Sequence, residues 1–200
     1  LLKCVSMLYN YFMKNPYAER SHTKMKEILL SPKSSGPKIH YFMIRGGKNK
    51  TNITVLESGK IGKEYIKTYG HYHVGKIEET YTILQGRGFV IMQKRKKDKN
   101  GEPINTEIKN FKAIKIKAGD KIFIPSEWGH LLVNTGKTWL VSSDNSPVNF
   151  KNKNPVSMPG HADYEPFKRL RGAGYYVTEK NNRPCFQKNQ NYSSVPEIKL

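Results

Sequence analysis

His71 and His73 stand two residues apart, so on a β-strand both imidazoles would face the same side. Glu78 and Glu79 follow after a short interval, and His130 comes much later in a second strand-like context. Two imidazoles, a carboxylate and a distant third imidazole make a mixed nitrogen–oxygen donor set suited to a first-row divalent metal. Such a set leaves coordination positions for water or substrate, which Lewis-acid catalysis needs. Spacing alone leaves two readings open, a metal site or an HxH pair exposed by chance. His22 and His40 have no partner pattern and read as ordinary surface or core residues.

Groups so far apart need a scaffold. The 200 residues and 23.0 kDa allow one domain of ordinary size with an appended arm. Leu1, Val5, Leu8 and Phe12 form one helical stripe that Asn15-Pro16 ends, and a second helical pattern runs from Ala18 to Leu30. Residues 1–37 therefore read as an N-terminal helical arm, 38–180 as the main domain and 181–200 as a C-terminal tail. From Ile39 the period changes. Short β-rich runs at 39–44, 53–56, 80–84, 89–93, 113–117, 121–124, 131–134 and 138–142 are separated by glycine-bearing turns. That spacing predicts an antiparallel sandwich or barrel. Lys94–Pro103 reads as a charged hairpin tip inside it. Asp163 is expected to cap a short helix through Arg171 that Gly172 ends, after which Tyr175-Tyr176-Val177 returns as a strand.

No apolar run approaches the roughly 18 residues of a membrane span. A formal charge of +19 attracts anions, from nucleic acid to phosphorylated metabolites. The excess is spread along the chain, and no zinc-finger spacing, RNA-binding signature or glycine–lysine phosphate loop accompanies it. Nucleic acid is therefore not the expected partner despite the +19 charge. Cys4 and Cys185, at opposite ends and without a CxxC, read as two unpaired thiols of a reducing cytosol. The apolar first thirteen residues lack a small-residue cleavage signal, so a secretory peptide is not expected.

The surroundings of the histidines are more specific. His71-Tyr72-His73, five residues, Glu79, six residues and Gly86 form one block. Gly119, five residues, Pro125, four residues, His130, three residues and Asn134 form the other. These blocks resemble the two motifs of the cupin superfamily, which implies an all-β cupin barrel, the double-stranded β-helix or jelly roll. The gap from His73 to Glu79 is one residue longer than usual, and Glu127 stands where the second motif usually has glycine. Glu78 would restore the usual gap, but Glu79 keeps the spacing to Gly86 and is the preferred ligand.

A longer match narrows the resemblance. Thr54-Val55-Leu56, Gly59–Tyr65, Thr68–His73, Glu79-Thr80-Tyr81, Pro125–His130 and Gly160–Tyr164 together resemble the cupin-type phosphoglucose isomerases of archaea. The resemblance implies a metal-dependent isomerase of glycolysis and gluconeogenesis, interconverting D-glucose 6-phosphate and D-fructose 6-phosphate. It also implies a cytoplasmic homodimer. One divalent metal per subunit would be held by His71, His73, Glu79 and His130, with Fe2+ preferred and Mn2+, Ni2+ or Zn2+ as alternatives. Glu79 would double as the base that shuttles a proton between C1 and C2, a metal-assisted hydride shift being the rival mechanism. Thr54, Thr68, Gly70, Tyr81, His161 and Tyr164 would contact substrate. Tyr41 is a weaker candidate, and Ser146 replaces a tyrosine of the archaeal proteins. Rival readings keep the barrel but change its use: an isomerase of mannose 6-phosphate, an iron dioxygenase, or a sugar-phosphate-binding cupin without turnover.

Overall fold

The computed structural model describes residues 17–46, 51–147 and 161–198. Within these, apolar alternation becomes strands with one buried face. The strands are β1 (Tyr17–Ser21), β2 (Ile39–Ile44), β3 (Asn52–Leu56), β4 (Lys60–Ile61), β5 (Glu64–Tyr65), β6 (Tyr72–His73) and β7 (Glu79–Gln85). There follow β8 (Arg87–Lys97), β9 (Pro103–Lys117), β10 (Lys121–Ile124), β11 (Trp128–Asn134), β12 (Leu140–Asp144), β13 (Ala162–Asp163), β14 (Tyr175–Lys180) and β15 (Arg183–Lys188). Among the described residues only α1 (His22–Met25), a 3-10 turn (Lys26–Ile28) and α2 (Glu165–Arg169) are helical. The all-β class expected from the sequence is observed, and no described helix is long and apolar enough to cross a membrane.

A six-stranded sheet in the order β1-β2-β3-β12-β7-β10 accompanies a three-stranded sheet β11-β8-β9, a four-stranded sheet β15-β14-β5-β4 and a β13-β6 ribbon. Strands adjacent in space but distant in sequence, β3 beside β12 and β12 beside β7, give the jelly-roll crossover pattern of a cupin. Burial follows the pleat: β3 and β12 alternate buried and half-buried along their length. Rows of inward residues cross the large sheet, as where Asn52 opposes Asp144 and Asp144 opposes Tyr81. Each row fixes what can meet inside the barrel.

The Ala18–Leu30 helix expectation is corrected at its start. Ala18–Ser21 lies in β1, antiparallel to β2 at the sheet edge, and helix begins only where the Ser21 hydroxyl accepts from Lys24 N at 3.3 Å. Sheet pairing here overrides local helix propensity. The apolar face does its expected work, since Met25, Ile28 and Leu29 are fully buried in the main core. Two buried charges fasten this segment: Glu64 accepts from Leu30 N at 2.8 Å and Lys67 donates to Ile28 O at 2.8 Å. Lys67 and Glu64 are themselves 2.5 Å apart. The Leu1–Phe12 stripe and Cys4 lie outside the described residues.

One other expectation shifts. Lys94–Lys97 continues β8 and only 98–102 turns, because the β8–β9 ladder extends to Lys97 opposite Pro103. Trp139 is exposed. Glu127 has φ +68, the left-handed shape for which glycine is usual, at a cost of about 1–2 kcal/mol. Ion pairs to Lys94 at 3.0 Å and Lys97 at 2.6 Å hold its carboxylate against β8. Those lysines take its pKa down to about 2.

Candidate metal centre

Gly70 turns the chain into the histidine pair. Its φ is +82, and a Cβ there would lie 2.7 Å from the Phe167 ring, so only glycine fits. His71 and His130 then exchange backbone hydrogen bonds at 3.3 and 3.0 Å, which sets two distant imidazoles side by side. His71 and His73 share a face, as their spacing predicts, with ring centroids 5.2 Å apart, while His130 is 4.5 Å from His71 and 5.1 Å from His73. Glu79 opens β7 with its side chain buried, whereas Glu78 is exposed. Adjacent strand residues face opposite ways, and the pleat has chosen Glu79. Donor atoms of His71, His73, Glu79 and His130 all lie within 4.8 Å of one another.

These four residues fit a metal. His73 Nε2, Glu79 Oε1 and His130 Nε2 are buried without a hydrogen-bond partner, although Glu79 Oε1 is 2.6 Å from His130 Nε2 and 3.6 Å from His73 Nε2. The three atoms crowd one spot, with Glu79 and His130 within ion-pair distance. The opposite nitrogens are occupied: Nδ1 of His73 is 3.0 Å from Ile77 O and Nδ1 of His130 is 3.1 Å from Trp128 O. Donation of Nδ1–H to those carbonyls leaves each Nε2 lone pair facing inward, the outer-shell arrangement of metal-binding histidines.

The electrostatics follow from burial. Desolvation, with the His130 and His73 rings beside it, pushes His71 well below its ordinary pKa. Burial outweighs Glu79 and lowers His73 as well. Burial also tends to raise Glu79, but His130 and His73 outweigh it and keep the carboxylate ionised below its usual range. His130 moves the other way, burial lowering it and Glu79 raising it by more. Burial and His73 take His161 down to about 4, so that ring is neutral near pH 7. Burial, Glu79 and Asp144 push the Tyr81 phenol well up, so it keeps its proton.

Above the cluster a cavity opens toward solvent. Thr54, Thr68, Gly70, Tyr81, His161 and Tyr164 all line it, beside His71, Glu79 and His130. Every sequence-nominated contact residue is thus brought to one place. Thr68 Oγ1 accepts from Leu132 N at 2.9 Å, which leaves the hydroxyl proton to donate elsewhere. Tyr41 and Ser146 line the cavity too, and Ser146 Oγ donates to Asp144 at 2.6 Å. Sequence reasoning missed Arg45 and Asp144, which also line it. Tyr41, Met43 and Arg45 alternate on one face at the end of β2, a period-two signal that could have placed Arg45. His22 and His40, which no sequence pattern links, bring ring nitrogens to 2.9 Å of each other outside this cavity.

An all-β barrel with three histidines and one glutamate converging under a polar-lined cavity is a cupin with a metal-type site. Residues 41–194 match the family model described as glucose-6-phosphate isomerase (GPI), and the chain belongs to that family. The glucose-6-phosphate isomerase of Thermococcus onnurineus is 34% identical over 84 residues, 42% of this chain and 38% of that protein. That of Thermococcus gammatolerans is 33% identical over 93 residues, 46% of this chain and 43% of that protein. The match therefore spans less than half the length of these relatives. A predicted oxalate decarboxylase from Thermotoga maritima is similar at a TM-score of 0.39 and 20% identity, covering 66% of this chain and 91% of that one. A likeness so slight carries no argument.

Proposed function

We propose that this chain is a metal-dependent aldose–ketose isomerase that interconverts glucose 6-phosphate and fructose 6-phosphate. The observation that carries the reading is the convergence of unpartnered His73 Nε2, Glu79 Oε1 and His130 Nε2 beneath the hydroxyl-lined cavity. Family membership supports it. His71, His73, Glu79 and His130 would hold one divalent ion, Fe2+ in first place, with Mn2+, Ni2+ or Zn2+ compatible with the same donors. When bound, that ion would supply Lewis-acid stabilisation of charge developing on the sugar oxygens, an effect of several kcal/mol.

The chain's own groups account for the rest. In the aldose-to-ketose direction Glu79 takes the proton from C2 and returns it to C1, while the hydroxyl proton passes from O2 to O1. General-base positioning of this kind contributes about 10²–10⁴ in rate. Tyr81, holding its proton beside Glu79, orients the reacting end. Thr54 and Thr68 offer hydroxyls, and Gly70 admits close backbone approach. His161 and Tyr164 flank the sugar and limit water. A cytoplasmic homodimer belongs to the same reading. The test is a coupled assay with fructose 6-phosphate after exhaustive chelation and readdition of single metals. Activity lost on chelation and restored by one ion supports it; full turnover by metal-free protein would sink the metal-dependent mechanism. Preference for mannose 6-phosphate would move the substrate.

A further inference from the structure

The residues nominated for substrate contact include no fixed positive charge. Thr54, Thr68, Gly70, Tyr81 and Tyr164 carry no cationic group, and His161 is an imidazole rather than a fixed charge. A sugar phosphate brings close to two negative charges into a partly dry cavity, where an unpaired anion is strongly disfavoured. Among the described residues lining the cavity, Arg45 is the one side chain of fixed positive charge.

Its setting is built. Arg45 follows β2 directly, and Gly46 N donates to Asn52 Oδ1 at 3.1 Å, which anchors the strand end. Asn52 Nδ2 donates to Asp144 Oδ1 at 2.7 Å, and Ser146 N and Oγ donate to that same oxygen at 3.1 and 2.6 Å. Asp144 is thus locked by its Oδ1, and its Oδ2 lies 3.5 Å from Arg45 Nη1, with the two side chains only 11% and 6% exposed. The guanidinium is braced on one side without being saturated. Its Nε is buried with no hydrogen-bond partner among the described residues. A buried donor left unmet is unfavourable unless something else supplies the acceptor.

We propose that Arg45 is the charge-recognition residue of this cavity, braced by Asp144 and using its unmet donor face to bind the phosphate group of a phosphorylated sugar. The planar guanidinium suits phosphate oxygens better than a point charge does. The inference rests on the isomerase reading only for the identity of the sugar; anion recognition is tested without turnover.

The experiment is calorimetric titration of inorganic phosphate, glucose 6-phosphate and glucose into the metal-loaded protein, with steady-state kinetics on fructose 6-phosphate in parallel. Arg45→Ala should weaken phosphate and glucose 6-phosphate binding by one to two orders of magnitude. KM for fructose 6-phosphate should rise by a similar factor, with kcat changed only a few-fold. Weak glucose binding should not change. Arg45→Lys should recover part of the loss. Lys109→Ala removes an exposed charge away from the cavity and controls for net charge. If Arg45→Ala unfolds because Asp144 is left unpaired, the Arg45→Gln/Asp144→Asn pair removes both charges and should show the same selective loss. Wild type that binds no phosphate or glucose 6-phosphate, or variants that bind them undiminished, would overturn the proposal. Phosphate-selective binding that depends on Arg45, without turnover, would uphold it while ending the isomerase reading.

Discussion

At the residue scale the decisive choice is between two neighbouring glutamates. Glu79 is buried among the imidazoles and Glu78 faces solvent, a consequence of strand alternation that a one-residue error in register would reverse. Glu79→Gln keeps the size and one oxygen of the side chain but removes the basic carboxylate. It should retain some metal, still bind fructose 6-phosphate, and lose at least about 10²-fold in turnover. Glu78→Gln should stay within a few-fold of wild type. Metal content by elemental analysis and initial rates check both, and solvent deuterium at C2 of glucose 6-phosphate formed from fructose 6-phosphate separates proton transfer from hydride shift. A dead Glu78→Gln beside an active Glu79→Gln would reverse the assignment.

At the element scale the segment from β1 to the 3-10 turn is tied to the barrel by charges removed from water. Glu64 and Lys67 are almost wholly buried, and each also holds a backbone group at Ile28–Leu30. Lys67→Met would strand a buried carboxylate and should cost about 3–5 kcal/mol in urea denaturation. The Glu64→Gln/Lys67→Met double variant should recover much of that loss; equal losses in both would show that the backbone anchoring, not the charge, matters. Nearby, burial with His22 and Lys67 alongside takes His40 down to about 4 from its ordinary 6.5. On acidification the unfolded chain therefore takes up this proton before the folded one does. Its stabilising contribution is complete above pH 6.5 and disappears as the pH falls through 4. Between pH 7 and 5 the stability of wild type should fall by about 1–2 kcal/mol more than that of His40→Gln. Parallel slopes in the two proteins would contradict this.

At the scale of the whole molecule, a charge of +19 raises the local concentration of any anion. If its use is to gather sugar phosphate, going from low to physiological salt should raise KM several-fold and leave kcat nearly constant. Submicromolar binding of duplex or single-stranded DNA at physiological salt, with a steep salt slope, would instead assign the charge to nucleic acid. The exposed lysines of β8 and β9 are where such a difference would first be felt.

Strand periodicity, being local, placed His71 and His73 on one face, but spacing alone left a metal site open; the full set with Glu79 and His130 was legible through the resemblance to the cupin motifs. The cupin barrel was likewise legible through that resemblance, while the run of short strands by itself gave only an antiparallel sandwich or barrel. The tertiary structure alone decided three things. It turned Ala18–Ser21 from helix into an edge strand, because pairing with β2 outweighs a weak local preference. It joined His22 to His40, which no sequence pattern links. It also selected Arg45 from 35 basic residues, because side-chain type is the same on the surface and in a cavity. What separates Arg45 is that the order β2-β3-β12 sets it beside Asp144, and that contact exists only once β12, distant in sequence, lies beside the consecutive strands β2 and β3.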